Sequence, residues 1–313
     1  MIEKFKIDIP REKVSKIKEK VKNYPWNLIP NLPDWKHGTN LPYLKEICDY
    51  WIKDFNWSLY EKKINNFQNF KTHVDGINIH FIKEEGSGSN PKNLLLIHGW
   101  PGSVIEFIEI INQLAHPENY GGNKEDGVTV IAPSLPGFGF SESPNEPYGP
   151  RKIAEILNKM MTINLKYKNY VAQGGDWGAT IANWLGYDHD KYCKAIHINC
   201  LTMRHPDGPQ TDKEKKWQEK FDKDQIMQDG YRTQQATKPQ TLSYAMMDSP
   251  VGIAAWIIEK MHGWSDLKDG NIESVYSKDV LLANIMTYLC TDTFSTSTWI
   301  YFGRREEGGR LFP

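Results

Sequence analysis

Short, continuous apolar runs alternate with helical stretches through the middle of this 313-residue chain. Each run has the length of a β-strand and is apolar on both faces, as strands are when a parallel sheet is covered on both sides. Four such runs occupy residues 94–97, 128–132, 170–172 and 195–198. Because right-handed crossovers through helices join parallel strands, this alternation predicts an α/β fold with a mostly parallel sheet.

The chain on either side of these runs has a different pattern. Before them, residues 41–56 place apolar side chains at helical spacing, and residues 70–85 alternate around Asp75-Gly76, which predicts a β-hairpin. After Cys200 the alternation stops, and the sequence predicts helices joined by loops. The expected segments are an N-terminal region (1–88), the first part of the α/β core (89–200), a helical cap (201–302) and a return to the core (303–313).

Composition and charge exclude several classes of protein. The chain has 39% hydrophobic and 25% charged residues, as globular proteins do, and its formal net charge of −1 gives no long-range attraction to nucleic acid. No stretch approaches the ~20 apolar residues of a membrane-spanning helix, and the N-terminus has no apolar run of signal-peptide length. The four cysteines lack the paired spacing of a metal site. We expect a cytoplasmic protein that binds neither metal nor nucleic acid.

The pentapeptide GGDWG, residues 174–178, follows one predicted strand and precedes a predicted helix. This is the context of a nucleophile elbow, a sharp turn that lifts a nucleophile above a sheet. Small residues flank the nucleophile because a Cβ atom would clash inside the turn. Here the nucleophile position is Asp176, whose carboxylate can attack an electrophilic carbon and form an ester that water then hydrolyses. The alternative is a glycine-rich turn in which Asp176 caps the helix.

Two further loops follow predicted strands in an order that fits this interpretation. HGWPGS, residues 98–103, follows the first run, and APSLPGFGFS, residues 132–141, follows the second. In folds with a nucleophile elbow, one oxyanion-hole N–H comes from the first of these loops and the other from the residue after the nucleophile. The predicted donors are the backbone amides of Trp100 and Trp177. Each loop taken alone is also compatible with a turn that merely ends a strand.

These three motifs resemble the hydrolase core of the epoxide hydrolases, specifically the microsomal-type branch that includes fungal, bacterial and insect juvenile-hormone enzymes. The segments YPWNLIPNLPDWKHGTNLPYLKEICDYW and FNWSLYEKKINNFQNF are similar to the N-terminal extension of that branch. The likeness covers almost the whole chain. It implies an α/β-hydrolase core with a mostly parallel sheet, a helical cap insertion and an N-terminal extension.

The resemblance also implies that two cap tyrosines hydrogen-bond the epoxide oxygen while the aspartate opens the ring. A phenol suits this task because it can donate a proton to the alkoxide as the C–O bond breaks. Residues 229–239 resemble the segment that carries the first tyrosine, and residues 281–301 resemble the segment that carries the second. Tyr231 and Tyr301 are therefore the predicted pair. The alternative for each is a cap residue that only packs its ring.

The chain departs from the family in one respect, because the family needs a histidine and an orienting acid in strands after the cap. None of the nine histidines fits this role; His98 belongs to the oxyanion loop, and we expect His197 to be a hydrogen-bonded core residue. About two more strand–helix units, on the order of 60–90 residues, are expected beyond the cap. We interpret the sequence as a fragment of a longer enzyme; the alternative is a short natural product without turnover. Alone, it is expected to fold poorly or to trap an ester at Asp176.

The leading functional hypothesis is hydrolysis of lipophilic epoxides to vicinal diols, with water as co-substrate and without a metal or organic cofactor. Aromatic residues around the motifs predict an apolar pocket. The predicted pocket and motif residues are His98, Gly99, Trp100, Pro101, Phe138 and Trp177. One alternative is a haloalkane dehalogenase-like hydrolase, which holds a halide with indole or amide N–H groups. The other is a catalytically inactive protein that binds a hydrophobic ligand.

Overall fold

The computed structural model describes residues 1–201, 205 and 207–309. Within these residues, seven strands form one mixed sheet. The strands are β1 (Ile2–Lys4), β2 (Gln68–Val74), β3 (Ile77–Glu84), β4 (Asn93–Ile97), β5 (Thr129–Pro133), β6 (Tyr170–Gly174) and β7 (Cys193–Ile198). Their spatial order is β1-β2-β3-β5-β4-β6-β7. The first three strands and β5 are joined by antiparallel pairing, whereas β5, β4, β6 and β7 are parallel to one another.

The helices fall into three groups along the chain. The N-terminal helices are α1 (Arg11–Lys22), α2 (Leu41–Lys53) and α3 (Trp57–Asn65). The helices between the core strands are α4 (Ile111–Ala115), α5 (Pro150–Lys159) and α6 (Trp177–Asp188). The helices after the last strand are α7 (Asp212–Gln228), α8 (Gly230–Thr237), α9 (Pro239–Met246), α10 (Pro250–Gly263), α11 (Lys278–Thr291), α12 (Phe294–Ser297) and α13 (Trp299–Glu306). Strands thus alternate with helices in the core, as predicted, and the regular elements described after the last strand are all helical.

Local chemistry explains the predicted hairpin. Asp75 and Gly76 join β2 to β3 with φ angles of 48° and 86°. A two-residue hairpin turn needs a positive φ at both positions, which asparagine, aspartate and glycine adopt most readily. Val74 pairs directly with Ile77 across the turn, so the register places alternate side chains on the buried face.

Helix α11 occupies the centre of the cap side of the molecule. Every residue from Leu281 to Cys290 is buried. A helix that is buried on all sides needs partners all round, and α11 packs against α1, α2, α3, α10 and the 3₁₀ turn Val104–Phe107. The N-terminal region therefore contacts the rest of the chain in two ways. Its helices pack against α11, and its strands belong to the shared sheet.

The structure of residues 195–198, the last predicted apolar strand, contradicts one prediction. Residues 195–198 form most of β7, but this strand lies at the edge of the sheet and pairs only with β6 among the described residues. Residues 194–197 are exposed, so the prediction that His197 is a buried core histidine is wrong. An edge strand has a neighbour on one side only, and its position cannot be read from its own apolar composition.

Some predicted segments extend beyond what the structure describes. Residues 202–204 and 206, in the predicted cap, and residues 310–313, at the end of the predicted return to the core, lie outside the described residues. Among the helices that are described, none combines the length and the apolar character needed to cross a membrane.

Candidate active site

Asp176 lies at a sharp turn between β6 and α6. Its backbone has φ 50° and ψ −126°, a conformation that residues other than glycine rarely adopt. The turn is also tightly packed: a Cβ atom on Gly174 would lie 2.1 Å from the carbonyl carbon of Gly178, and one on Gly178 would lie 2.0 Å from the oxygen of Ile97. Only glycine fits at both positions. The bend has the geometry of a nucleophile elbow, with Asp176 at its tip.

Two backbone amides contact the carboxyl group of Asp176. The Trp100 N–H donates to Asp176 Oδ1 at 2.8 Å, and the Trp177 N–H also donates to this carboxyl group. These are the two donors predicted from the sequence. They lie where an oxyanion derived from this carboxyl group would need hydrogen bonds.

Two of the predicted pocket and motif residues, His98 and Phe138, pack beside the oxyanion loop, residues 98–103. His98 is buried; its Nδ1–H donates to the Gly99 oxygen at 3.1 Å, and its Nε2 accepts from the Leu135 N–H at 3.2 Å. Burial lowers the pKa of His98 to about 4, which keeps it neutral. The Phe138 ring packs edge-on against His98, with centroids 5.4 Å apart. Neither His98 nor Phe138 lines the cavity described below.

Helix α11, on the cap side, forms hydrogen bonds to the same loop of residues 98–103. Asn284 Nδ2 donates to the Pro101 oxygen at 2.6 Å, and its Oδ1 accepts from Ser103 Oγ at 2.8 Å. Tyr288 Oη donates to the Gly102 oxygen at 2.5 Å. Sequence reasoning missed these contacts. The available signal was an Asn and a Tyr four residues apart, hence on one face, within a mostly apolar stretch of the helix.

The two predicted tyrosines lie together, although they come from different helices. Tyr231 on α8 and Tyr301 on α13 have ring centroids 5.7 Å apart at 84°, and their side chains share a hydrogen bond. The Trp100 ring stacks on Tyr231 at 5.4 Å and meets Tyr301 edge-on at 5.8 Å. Trp177 contacts Tyr301 at 4.7 Å. The fold thus brings the predicted nucleophile, amide donors and phenols into one cluster.

A cavity of about 380 Å³ opens beside this cluster. Its lining residues are Gly99, Trp100, Pro101, Gly102, Ile105, Glu106, Ile108, Glu109, Asp176, Met261, Trp264, Tyr276, Val280, Leu281 and Asn284. Most of this lining is apolar, and none of these side chains carries a positive charge. Within the part of the chain that the structure describes, no group of three or more His, Cys, Asp or Glu side chains could hold a metal ion.

Electrostatics set the protonation states around the cavity. Asp176 is exposed to solvent where it lines the cavity, and its carboxyl group lies against Gly99 and the Trp100 amide. Desolvation by the surrounding protein raises the pKa of Asp176 to about 6, against the opposing effect of the Trp177 and Trp100 amides. Burial, followed by the negative charge of Asp176 and other groups, raises the pKa of Tyr231 above its usual range. The pKa of Tyr301 is also raised, mainly by burial. At neutral pH the carboxyl group is therefore mostly ionised and both phenols keep their protons.

Glu106 is a second carboxyl group in the cavity that sequence reasoning missed. Glu106 is exposed to solvent where it lines the cavity. Desolvation by the surrounding protein, and after it the charge of Asp176, raise the pKa of its carboxyl group above the usual range, although the Ser103 amide donates to it. Ser103 Oγ in turn accepts from the Ile105 N–H at 3.3 Å. A Ser followed three residues later by a Glu is the signature of a capping box, and this pattern was present in the sequence.

Two family models match the chain. The model described as epoxide hydrolase N terminus matches residues 2–107, and the model described as alpha/beta hydrolase fold matches residues 92–246. A putative epoxide hydrolase from Stigmatella aurantiaca (strain DW4/3-1) is 38% identical over 314 residues, covering 98% of this chain and 71% of that protein. Epoxide hydrolase 1 from Sus scrofa is 34% identical over 329 residues, covering 96% of this chain and 72% of that protein.

A solved structure has the same fold. The crystal structure of juvenile hormone epoxide hydrolase from the silkworm Bombyx mori matches with a TM-score of 0.86 and 30% identity, over 97% of this chain and 77% of that chain. This match confirms the predicted α/β-hydrolase fold, and the sequence relatives confirm the resemblance drawn from the three motifs. The chain belongs to the epoxide hydrolase family of hydrolases.

Proposed function

We propose that this chain opens lipophilic epoxides by covalent attack of Asp176, with Tyr231 and Tyr301 activating the epoxide oxygen. Its epoxide hydrolase relatives support the reaction class. The observation that carries the proposed mechanism is the position of Asp176. It sits at the tip of a strained turn, with two backbone amides on its carboxyl group and two paired phenols in the same aromatic cluster.

The first step uses only groups in this cluster. A carboxylate oxygen of Asp176 attacks a ring carbon, and the bond from that carbon to the epoxide oxygen breaks. The oxygen takes a proton from one of the two phenols, and the product is a hydroxyalkyl ester of Asp176. The tyrosine recovers its proton from solvent. Because the second phenol is hydrogen-bonded to the first, it stabilises the charge that develops during the transfer.

The second step returns the carboxyl group by attack of water on the ester carbonyl. An oxyanion then forms on the former carboxyl oxygen, and the Trp100 and Trp177 amides are the donors that would stabilise it. Water needs a general base for this attack at neutral pH. The residues that line the cavity include no histidine. We therefore assign these residues to ester formation and to oxyanion stabilisation, and we assign none of them to water activation.

The cavity favours lipophilic substrates. Its lining is mostly apolar, with Met261, Trp264, Val280 and Leu281 among the cap residues that face it. Burial of apolar substrate surface against such a lining contributes about 25 cal/mol per Å². The proposed substrates are accordingly small apolar epoxides.

The experiment that tests this function is intact-protein mass spectrometry after incubation with styrene oxide. We expect one added mass of styrene oxide per chain, located by peptide mapping at Asp176. The D176N variant should show no adduct, whereas D190N, the same change at an exposed position outside the site, should react as the original chain does. A folded sample without an adduct would overturn the proposal.

The same assay separates the alternatives. A dehalogenase-like protein would form its ester with 1-bromohexane at least as fast as with an epoxide, because its donors would stabilise a leaving halide. A protein that only binds hydrophobic ligands would show equilibrium binding without covalent mass. The paired phenols suit an oxygen leaving group, which accepts a proton, and favour the epoxide.

A further inference from the structure

A buried lysine lies beside the cap tyrosines, and the proposed ring opening gives it no role. Lys260 is on helix α10 and is 5% exposed. Its ammonium nitrogen lies 4.9 Å from the centre of the Tyr231 ring and 5.8 Å from the centre of the Trp264 ring. The described residues that line the cavity include Trp264 but not Lys260. A positive charge is therefore close to Tyr231 at a side chain that does not itself face the cavity.

The other contacts of Lys260 explain how a charge is tolerated at a buried position. Its Nζ pairs with Glu259 Oε2 at 2.6 Å and donates to Gln228 Oε1 at 3.3 Å. It also lies 3.5 Å from the backbone oxygen of Gln228, the last residue of α7, and a cation is stabilised at the C-terminus of a helix. The Glu259 side chain is 24% exposed and the Lys260 side chain 6%. Solvent therefore weakens the field of the carboxylate more than that of the ammonium.

The two phenols of the candidate site differ in what surrounds them. The Tyr301 ring packs against the rings of Trp100, Trp177 and Tyr231. Tyr231 shares the contacts with Trp100 and Tyr301, but it also has the Lys260 ammonium over its ring. Position alone therefore makes the two hydroxyl groups unequal.

The other charged groups near Tyr231 do not act as Lys260 does. Asp229 and Arg232 form an ion pair with each other, and their side chains are 29% and 44% exposed. Their opposite charges offset one another at Tyr231, and solvent screens both. The negative charge of Asp176 is lost as its oxygen bonds to the epoxide carbon. The positive charge of Lys260 is present throughout the reaction.

A cation over the ring of a phenol affects its two protonation states differently. The negative charge of a phenolate is shared with the ring by resonance, so a cation on the ring stabilises the phenolate more than the neutral phenol. When a phenol donates its proton to the epoxide oxygen, this negative charge develops on the donor. Lys260 therefore lowers the barrier to ring opening if Tyr231 is the donor.

We propose that Lys260 makes Tyr231 the proton donor of the pair, by stabilising the negative charge that develops on Tyr231 as the epoxide opens. The proton passes from Tyr231 Oη to the epoxide oxygen while the C–O bond breaks. Tyr301, which is hydrogen-bonded to Tyr231, stabilises the same charge by donating to the Tyr231 oxygen. Lys260 acts through Tyr231 and is a positioning residue. The inference rests on the proposed function, from which it takes the ring opening.

The first test measures single-turnover ester formation with styrene oxide by intact-protein mass spectrometry. K260M removes the charge but keeps a long side chain, and we expect the rate to fall about tenfold. K260R keeps the charge and should stay within about twofold of the original rate. K191M is the matched control, because the Lys191 ammonium lies 5.3 Å from the centre of the Tyr192 ring at an exposed position. It should react as the original chain does.

Double variants identify the group through which Lys260 acts. K260M should cause no further loss in a Y231F background, because the hydroxyl group that benefits from the charge is absent. In a Y301F background, K260M should again slow the reaction about tenfold. If Lys260 only joins helices α7 and α10, K260M slows both backgrounds by the same factor, which would contradict the proposal.

Infrared spectroscopy of bound acetophenone tests the same effect without covalent chemistry. This ketone is close to styrene oxide in size, its carbonyl oxygen accepts a hydrogen bond, and it forms no ester with a carboxylate. A stronger hydrogen bond lowers the carbonyl stretching frequency. We expect a higher frequency in K260M than in the original chain, no change in K191M, and no effect of K260M in the Y231F background.

Each outcome decides the proposal. Equal rates in K260M and the original chain overturn it, as does a loss that persists in Y231F. If K260M does not fold, the single tyrosine variants decide, because Y231F must slow ester formation more than Y301F does. A chain that forms no adduct overturns the proposed function, and the infrared comparison then decides the role of Lys260. A normal adduct with the same carbonyl frequency in K260M overturns the role of Lys260 alone.

Discussion

The two sides of the candidate site are built in different ways. On the core side, backbone groups define the geometry: the Trp100 and Trp177 amides meet Asp176 at a turn that only glycines can flank. On the cap side, Tyr231 and Tyr301 are held by ring contacts between helices α8 and α13. A site built from backbone needs particular residues at fixed spacing. A site built from side-chain packing does not, and local sequence patterns alone do not reveal it.

The largest effect is expected from G99A, which would disrupt the core side of the candidate site and leave the cap side unchanged. The new Cβ atom would lie 2.1 Å from Asp176 Oδ1 and displace the carboxyl group from its amides. We expect the rate of ester formation with styrene oxide to fall by more than about 100-fold, because misplacing a reacting group by about 1 Å already costs about that much. G230A is the matched control, because a Cβ atom there meets nothing within 4 Å. An equal loss in both variants would contradict a backbone-built core side.

The next effect comes from Y301F, which changes the cap side without disturbing its packing. The ring contacts with Trp100 and Trp177 remain, and only the phenol hydroxyl is lost, together with its hydrogen bond to Tyr231. Single-turnover ester formation should slow about 100-fold. Y244F, the same change at a tyrosine that is 76% exposed, should leave the rate unchanged. A Y301F variant that reacts at the original rate would remove Tyr301 from the mechanism.

The pH dependence of the rate of ester formation should reflect the ionisation of Asp176, on the core side, and not that of the cap tyrosines. In the proposed mechanism Asp176 attacks as the carboxylate; its pKa is raised to about 6, so protonation would remove the nucleophile as pH falls through that value. The pKa values of Tyr231 and Tyr301 are raised, so both phenols keep their protons across the neutral range. The rate at pH 5 should be about tenfold below its plateau above pH 7. A profile that is flat between pH 5 and pH 8 would show that the Asp176 pKa is not raised.

The smallest effect is expected where the two sides are joined. Y288F removes the hydrogen bond from α11 to the Gly102 oxygen and leaves a buried carbonyl unpaired. The free energy of unfolding should fall by about 1–3 kcal/mol, measured by denaturant titration. Ester formation should slow only severalfold, because Asn284 still holds Pro101 and Ser103. A variant as stable as the original would mean that this contact contributes nothing.

Sequence patterns anticipated the core and its motifs because short-range rules govern them. The strand before Gly174 and the helix after Asp176 follow from apolar runs and helical spacing, and the glycines follow from steric limits within one turn. The backbone amide donors were predictable for the same reason. The tyrosines followed only from the resemblance to a family, since nothing local distinguishes Tyr231 from the other tyrosines.

What the sequence did not predict depends on contacts between distant segments. His197 was expected in the core, but β7 is an edge strand, and the position of a strand in a sheet depends on pairing with other strands. The bonds from Asn284 to the oxyanion loop join residues more than 180 positions apart. Glu106 carried a visible capping signal, yet its place in the cavity depends on the distant cap residues that line the same cavity.

Helix α11 touches the oxyanion loop on one side and the helices α1, α2 and α3 on the other. Recombination that exchanges only the cap between two relatives would therefore pair α11 of one protein with the N-terminal helices of the other. The mismatch would shift the loop that carries the Trp100 amide, which donates to Asp176. Productive chimeras of this fold should transfer the N-terminal helices and α11 as one block.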